Sequence, residues 1–347
     1  MDFFDAGQPI CRNGGVRSAC IVQERSMLRL WSDRTIPPEI RAEFDQRLHV
    51  NGSAEASPDD PLRDLPGAHA IVAGARRNYD GGFLYRYPDV KVICRTGIGI
   101  DNIVVQDATE RGVAVCNTPE GPTVSTAETA IALILSAVKH IKRVSGEFAE
   151  RPGKDYLSGY QGMEVFGRTL GLIGLGRIGG RVGELAAALG MRVIAYDPYI
   201  GAERATAMGI ERAERIEDVL ARSDVVSLHA PLTEETHRLM DGKRFAQMKP
   251  GAFFVNVSRG GLVDEEALCA ALDRGHLDGA GLDVFDPEPP SPENPLLHRA
   301  DVVVTPHIAG VTVASRERMW HMALTMALQV WNGERPDHIV NPEVLTG

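Results

Sequence analysis

The sequence has no excess of basic residues, no paired cysteines and no apolar run long enough to cross a membrane. Its 47 Asp and Glu outnumber its 37 Lys and Arg and give a formal net charge of −10, which argues against a surface for nucleic acids or anionic membranes. The cysteines show neither disulfide nor metal-ligand spacing, so we expect reduced thiols and no metal site. They are Cys11, Cys20, Cys94, Cys116 and Cys269. Because we also find no secretory signal pattern, we expect a cytoplasmic protein.

A glycine-rich turn after an apolar run is the most informative motif. Leu170–Ile173 predicts a buried strand, and Gly174, Gly176 and Gly179 follow with the spacing G-x-G-x-x-G before a helical pattern. The first glycine permits a tight turn, the second lets the backbone approach a pyrophosphate, and the third lets helix pack on strand. The next predicted strand ends in Asp197, whose carboxylate would bond the ribose hydroxyls and repel a 2′-phosphate. We therefore predict NAD as the cofactor, in preference to NADP.

Short apolar segments alternate with helical patterns along the chain, which indicates parallel α/β sheets. Five predicted strands come first: Met27–Trp31, Leu48–Val50, Ala70–Ala73, Val90–Cys94 and Val113–Cys116. Six more start at the glycine motif: Leu170–Ile173, Val193–Tyr196, Val225–Leu228, Phe253–Asn256, Ala280–Val284 and Val302–Thr305. Ser125 has capping-box spacing before a long helix to about Val144, and Thr312 is the expected N-cap of a helix that runs to about Trp331 and that Gly333 ends.

Polar side chains follow the later strands at the edge that the glycine motif marks. His229 follows the third of these six strands, Arg259 the fourth and His307 the sixth, whereas Asp283 closes the fifth and Glu288 lies five residues beyond it. Ligands of open parallel sheets bind beyond the carboxyl ends of the strands. Each residue alone could be a surface ion pair or a packed histidine, but their common edge favours a site.

These side chains suit the reduction of a 2-keto acid by a hydride donor. Arg259 would bind the substrate carboxylate, because arginine is a charged, planar fork that matches a carboxylate. His307 would donate the proton to the carbonyl oxygen, and Glu288 would hold the imidazole and favour its charged form. Oxidation of the hydroxy acid uses the same groups in reverse.

The chain resembles the D-isomer-specific 2-hydroxyacid dehydrogenases, the family that contains phosphoglycerate dehydrogenase, glyoxylate/hydroxypyruvate reductase and D-lactate dehydrogenase. The matching motifs are Leu172–Gly179, His229–Thr233, Asn256–Asp264, Gly281–Pro289 and Thr305–Gly310. The resemblance implies two Rossmann-like α/β domains. We expect a doubly wound, parallel-sheet NAD-binding domain at 122–307, inserted into a smaller flavodoxin-like substrate domain at 1–121 and 308–347.

The resemblance also implies roles for individual residues. It gives Arg259, Glu288 and His307 the catalytic roles above, and it places Arg177 and Ile178 at the diphosphate. The remaining expected cofactor contacts are Gly174, Gly176, Gly179, Asp197, His229, Ala230, Pro231, Val257, Asp283 at the nicotinamide amide, His307 and Gly310. The substrate carboxylate would also rest on the backbone turn Arg95–Gly99, in which Arg95, Thr96, Gly97 and Ile98 are the expected contacts. A homodimer built around the helix Ser125–Val144 is the implied assembly.

Two departures from the family pattern leave the identity of the 2-hydroxy acid open. Asp155 stands where the family often has a tryptophan, and Arg76 and Arg77 lie in a run that differs from the Arg-Ser-x-Thr of phosphoglycerate enzymes. The two arginines are either solvated surface cations or contacts to a distal group of the substrate. We expect no regulatory domain after Gly347.

Three alternatives remain. A formate dehydrogenase of related fold would have glutamine near its histidine, where this chain has Glu288. A phosphite-oxidising relative would keep the same three residues, as would an NAD-sensing corepressor of this fold. Turnover against a panel of substrates separates these readings and gives the preferred direction.

Overall fold

The computed structural model describes residues 27–345 and contains two parallel sheets. Cys11, Cys20 and the start of the predicted substrate domain lie outside the described residues. Cys94, Cys116 and Cys269 are free thiols, as expected.

The first sheet has five strands in the order β2-β1-β3-β4-β5, and every neighbouring pair is parallel. The strands are β1 (Leu28–Ser32), β2 (Leu48–Ser53), β3 (Ala70–Ala73), β4 (Val92–Arg95) and β5 (Ala114–Asn117). Three short helices connect them: α1 (Pro38–Phe44), α2 (Gly81–Arg86) and α3 (Val105–Glu110). This is the strand order of the flavodoxin-like fold, which confirms the predicted architecture of the smaller unit.

A long apolar helix, α4 (Glu120–Val138), leads to the second sheet and is followed by α5 (Ile141–Glu150). The predicted N-cap at Ser125 is wrong, because the helix begins five residues earlier and Ser125 lies inside it, buried against Thr312 at 2.8 Å. Proline is well tolerated in a first helical turn, where its missing N–H is not needed, so Pro119 and Pro122 start this helix. The predicted end at Val144 is also wrong, since His140 adopts a left-handed conformation (φ 50°) and divides the helix in two.

The second sheet has seven parallel strands in the order β12-β11-β10-β9-β6-β7-β8. They are β6 (Thr169–Ile173), β7 (Arg192–Tyr196), β8 (Glu211–Arg212), β9 (Val225–Leu228), β10 (Ala252–Asn256), β11 (Leu277–Leu282) and β12 (Val302–Val304). The helices are α6 (Arg177–Ala188), α7 (Ala202–Ala207), α8 (Ile216–Arg222), α9 (Gly242–Gln247), α10 (Glu265–Asp273) and α11 (Pro295–His298). This is the predicted doubly wound sheet, and β6 with its glycine turn lies where the strand order reverses. The sequence analysis missed β8, which is two polar residues long.

The last helix, α12 (Val313–Asn332), returns from the second sheet to the first. Thr312 caps its N-terminus with a reciprocal hydrogen bond to Ser315, and Gly333 ends it with a left-handed conformation (φ 79°), both as predicted. Its apolar face buries Trp320 and Leu324 in the core of the first sheet. The chain therefore crosses twice between the two sheets, once through α4 and once before α12.

Helix α4 packs on α6, α12 and strands β10 and β11. By length and composition alone it could cross a membrane, so the expectation that no run is long enough is wrong. More than half of that stretch is buried inside the fold, and it serves as a core helix. Of the apolar residues on this helix, Ala130, Leu133, Ile134 and Val138 are buried within this one chain, whereas Ile131 and Leu135 are half-buried.

Candidate active site

The glycine turn after β6 has the geometry that a bound pyrophosphate requires. A Cβ on Gly174 would lie 2.6 Å from the carbonyl of His229, and one on Gly179 would lie 2.3 Å from the Gly174 oxygen. A Cβ on Gly176 would meet nothing within 4 Å. Packing therefore excludes a side chain at the first and third glycines, while the second faces open space into which a ligand can come close.

The start of α6 presents unused hydrogen-bond donors at this open space. Within the described residues, the backbone N–H groups of Arg177, Ile178 and Gly179 donate no hydrogen bond. Free N–H groups and the helix dipole together favour an anion at a helix N-terminus. These residues fit the diphosphate of a dinucleotide.

Asp197 lies beside the glycine turn at the end of β7. Its carboxylate accepts the backbone N–H groups of Leu175 and Tyr199, both at 2.8 Å. The side chain is half-buried, so it fixes the turn while remaining within reach of a ribose. That contact stays a prediction.

His229 follows β9 and packs directly behind the glycine turn. Its Nε2 lies 3.0 Å from the Ser227 hydroxyl, and its buried Nδ1 has no partner among the described residues. Burial lowers the pKa of His229 to about 3, because charging the ring in an apolar place is costly. Ala230 and Pro231 continue the chain along the same turn, and the imidazole is neutral at any physiological pH.

Asp283 closes β11 and is fully buried. One carboxylate oxygen accepts the Thr305 hydroxyl at 2.6 Å and the Ile308 N–H at 2.9 Å, and the other accepts the Ala309 N–H at 2.9 Å. Burial raises the pKa of Asp283, and these hydrogen bonds oppose that effect. The role visible here is to hold the loop 305–309, and the predicted nicotinamide contact stays a prediction.

His307 lies in that loop with a left-handed backbone conformation (φ 55°). Its Nδ1 is 2.8 Å and 3.0 Å from the two carboxylate oxygens of Glu288. Because a carboxylate only accepts, Nδ1 carries hydrogen and Nε2 is the nitrogen left to face a substrate. The imidazole is 42% exposed, so Nε2 is accessible to a ligand.

Arg259 follows β10 on a turn that Asn256 shapes. The Asn256 amide donates to the Arg259 carbonyl at 2.8 Å and accepts the Ser258 N–H at 2.9 Å. A Cβ on Gly260 would lie 2.0 Å from the carbonyl of Phe285. This close approach brings the loop of Arg259 against the loop that carries Glu288.

The guanidinium of Arg259 reaches across to the first sheet. Its Nε and Nη2 donate to one oxygen of Asp101 at 3.1 Å and 2.9 Å. Arg95, at the end of β4, lies close enough for the two positive charges to interact. Its pKa is lowered to about 10, first by burial and then by the charge of Arg259. The sequence analysis did not identify Asp101, although it lies two residues beyond the predicted carboxylate turn.

The turn at 95–99 supplies fewer free donors than predicted. The N–H of Thr96 donates to the Ala73 carbonyl and that of Gly97 to the Thr118 hydroxyl. Within the described residues, the N–H groups of Ile98 and Gly99 have no acceptor. Any anion on this turn would therefore meet Ile98 and Gly99.

The two arginines after β3 differ in their surroundings. Arg77 forms an ion pair with Asp33 at 3.1 Å and lies over the Trp31 ring, whereas Arg76 is exposed. Arg76 is therefore the one left to meet a ligand.

Three other residues from the sequence analysis have local roles in the described structure. Asp155 is exposed and accepts hydrogen bonds from Leu157 and Ser158 within its own loop. Val257 is buried in the turn before Arg259. Gly310 packs against Pro122 of α4, where a Cβ would approach to 2.9 Å.

Comparison with known proteins identifies the family. Residues 131–309 match the family model described as the NAD binding domain of D-isomer specific 2-hydroxyacid dehydrogenases. The chain is 35% identical over 324 residues to glyoxylate reductase of Korarchaeum cryptofilum. The match covers 91% of this chain and 97% of that protein. The chain belongs to the D-isomer specific 2-hydroxyacid dehydrogenase family. The glycine turn and Asp197 thus lie within the NAD-binding domain of a family member.

Two further comparisons agree with this membership. D-3-phosphoglycerate dehydrogenase of Archaeoglobus fulgidus is 41% identical over 285 residues, which cover 82% of this chain and 53% of that protein. This family member therefore spans about half the length of the phosphoglycerate dehydrogenase that it matches. The solved D-lactate dehydrogenase from Aquifex aeolicus, complexed with NAD and lactic acid, is 29% identical with a TM-score of 0.78, covering 90% of this chain and 99% of that one.

The low pKa of His229 makes the stability of this family member depend on pH. Folded His229 takes up a proton near pH 3, whereas an unfolded histidine does so at about 6.5. Between these values the unfolded state binds more protons, so stability falls as pH decreases below 6.5, by about 2 kcal/mol at pH 5. His229→Gln lacks this dependence. Urea unfolding of both proteins at pH 7.5 and pH 5 should show that the free energy of unfolding falls by about 2 kcal/mol more in wild type than in the variant. An NMR titration of His229 near pH 6 would contradict the low pKa.

Proposed function

We propose that the protein is an NAD-dependent dehydrogenase that interconverts a D-2-hydroxy acid and its 2-keto acid. The observation that carries this proposal is the His307–Glu288 pair, 2.8 Å apart, on the sheet edge that also bears the glycine turn and Arg259. The relatives named glyoxylate reductase, D-3-phosphoglycerate dehydrogenase and D-lactate dehydrogenase support the same class of reaction.

The side chains divide the chemistry of keto-acid reduction between them. Bound NADH would supply the hydride that the carbonyl carbon accepts. Arg259 binds the substrate carboxylate and orients the carbonyl group. His307 donates the proton from Nε2 to the carbonyl oxygen, while Glu288 holds Nδ1 and stabilises the charged imidazole. In the oxidative direction neutral His307 accepts that proton. His229 cannot share this role, because burial keeps it neutral.

The catalytic assignment predicts a large effect at His307. His307→Gln should lower kcat by about 10²–10⁴ because the proton donor is lost, while the affinity for NADH measured by fluorescence stays unchanged. Glu288→Gln should cause a smaller loss, since it keeps a hydrogen-bond acceptor but not the charge. The assay is NADH oxidation with glyoxylate, hydroxypyruvate, pyruvate and bulkier 2-keto acids.

His298→Gln is the matched control, because His298 is also exposed and bonds only the Pro292 carbonyl in the same loop region. Full activity of His307→Gln would refute the assignment. NAD binding by the wild type without turnover of any acid in the panel would favour an NAD-sensing protein instead.

Cofactor choice is predicted to follow the charge of Asp197. The wild type should prefer NAD over NADP by about tenfold or more in kcat/KM, which is ~1.4 kcal/mol. Because its oxygens also accept two backbone N–H groups, Asp197→Asn is a cleaner test than alanine: it keeps an acceptor and removes the charge. This variant should narrow the preference while the melting temperature changes little. Equal efficiency of both cofactors with wild type would rule out this role.

We also propose that the protein is a homodimer, with an interface shifted from α4 to α5 and the loop after it. No residue of α5 is buried within the chain. Its Ile141 and Phe148 are 52% and 55% exposed, and Leu157 and Tyr160 in the following loop are 94% and 46% exposed. Exposed apolar side chains on one helix and the loop after it are typical of an interaction site.

Substitution of this surface tests the dimer. The double variant Phe148→Asp with Leu157→Asp should sediment as a monomer at micromolar concentration, because two carboxylates would be buried in the interface. Tyr85→Asp, at a comparably exposed aromatic residue of α2, is the control and should leave the mass unchanged. A wild-type monomer in light scattering would exclude the assembly.

A further inference from the structure

The ion pair between Arg259 and Asp101 joins the two units of the chain at the site. Arg259 belongs to the turn after β10, and Asp101 follows the carboxylate turn after β4. The distances from Asp101 Oδ2 to Nε and Nη2 are 3.1 Å and 2.9 Å. The carboxylate therefore holds the guanidinium by the edge that contains Nε.

Some N–H groups of the Arg259 guanidinium have no acceptor among the described residues. A guanidinium carries five N–H groups in a fixed plane. Two donate to Asp101, and one on Nη1 donates to the Ser258 carbonyl at 2.7 Å. Within the described residues this leaves one N–H on each terminal nitrogen. Two terminal N–H groups in one plane form a fork that matches a second carboxylate.

Gly99 lies against the same guanidinium. A Cβ on Gly99 would lie 1.6 Å from Nη2 of Arg259, so the backbone of this turn is in direct contact with the arginine. The free N–H groups of Ile98 and Gly99 lie in the same turn. One segment, 98–101, thus contacts Arg259, carries the carboxylate that holds it and offers two further donors for an anion.

We propose that Asp101 is the positioning residue for Arg259: it holds the Nε edge of the guanidinium so that the terminal fork faces the carboxylate of the substrate, and it stays in place when substrate binds. The inference rests on the proposed function, since it takes the substrate to be a 2-keto acid bound through its carboxylate by Arg259. In the opposite arrangement, Asp101 would occupy the place of the substrate carboxylate and would have to leave when substrate binds. Loss of Asp101 would then lower KM instead of raising it.

Asp101→Asn and Asp101→Ala separate these two arrangements. Loss of the positioning carboxylate should raise KM for the best 2-keto acid by about tenfold or more while kcat changes less than about threefold, because an interaction made equally with substrate and transition state is weakened. The dissociation constant of NADH should not change, which also shows that each variant is folded. Asp101→Glu should recover part of the lost affinity. An unchanged or lowered KM in Asp101→Asn would overturn the proposal.

A double-mutant cycle tests whether Asp101 acts through Arg259. Lysine has no Nε edge, so in an Arg259→Lys background Asp101→Asn should change KM by less than about twofold. If Asp101→Asn keeps its full effect in that background, it acts independently and the proposal fails. Asp273→Asn is the matched control. Asp273, the last residue of α10, also forms an exposed ion pair with an arginine, Arg299. The KM of this variant should equal that of wild type.

Oxalate binding provides a readout that does not need turnover. Oxalate should quench the fluorescence of the NADH complex of wild type, with a dissociation constant raised about tenfold or more in Asp101→Asn. Wild type that binds oxalate but turns over no acid would refute the proposed function and leave the positioning role measurable. Wild type that turns over a keto acid, with Asp101 variants unaltered in both assays, would refute the positioning role alone.

Discussion

The hydrogen bonds to the buried carboxylate of Asp283 are the contacts on which the candidate active site depends. A charge without exposure to water is costly unless it is hydrogen-bonded, and Asp283 satisfies this requirement with three donors from the loop 305–309. The same bonds hold His307 in a left-handed conformation, which costs a residue with a Cβ about 1–2 kcal/mol. The hydrogen bonds that the buried Asp283 carboxylate requires thus fix the backbone at His307. Glu288 then meets Nδ1 of an imidazole that is already oriented.

Glycines fix the other loops in a similar way, by excluding side chains where backbones meet. The turn of Arg259 touches the loop of Glu288 at Gly260, and the turn of Asp101 touches Arg259 at Gly99. Glu288, His307 and Arg259 thus follow strands of the second sheet, while the carboxylate that holds the arginine follows a strand of the first. A site assembled in this way depends on the relative position of both units, because a rotation of one sheet would separate Arg259 from Asp101.

The features predicted from the sequence are those that short segments determine locally. An apolar run followed by glycines at fixed spacing predicted β6 and its turn, and a capping residue with a terminal glycine predicted α12 nearly to the residue. The start of α4 was missed because Pro119 can initiate a helix as well as interrupt one. Asp101 was missed because its partner lies 158 residues away, a separation that no local pattern reveals.

The two histidines at the candidate active site show why residue type alone does not identify the proton donor. Both follow strands of the same sheet, and the sequence separated their predicted roles only through Glu288 and the family resemblance. His229 packs behind the glycine turn, where burial lowers its pKa to about 3 and leaves no proton to donate. His307 is exposed and its Nδ1 meets the carboxylate of Glu288, so its Nε2 is accessible to a ligand. The same side chain thus packs behind the glycine turn in one place and lies exposed beside a carboxylate in the other, and desolvation distinguishes the two.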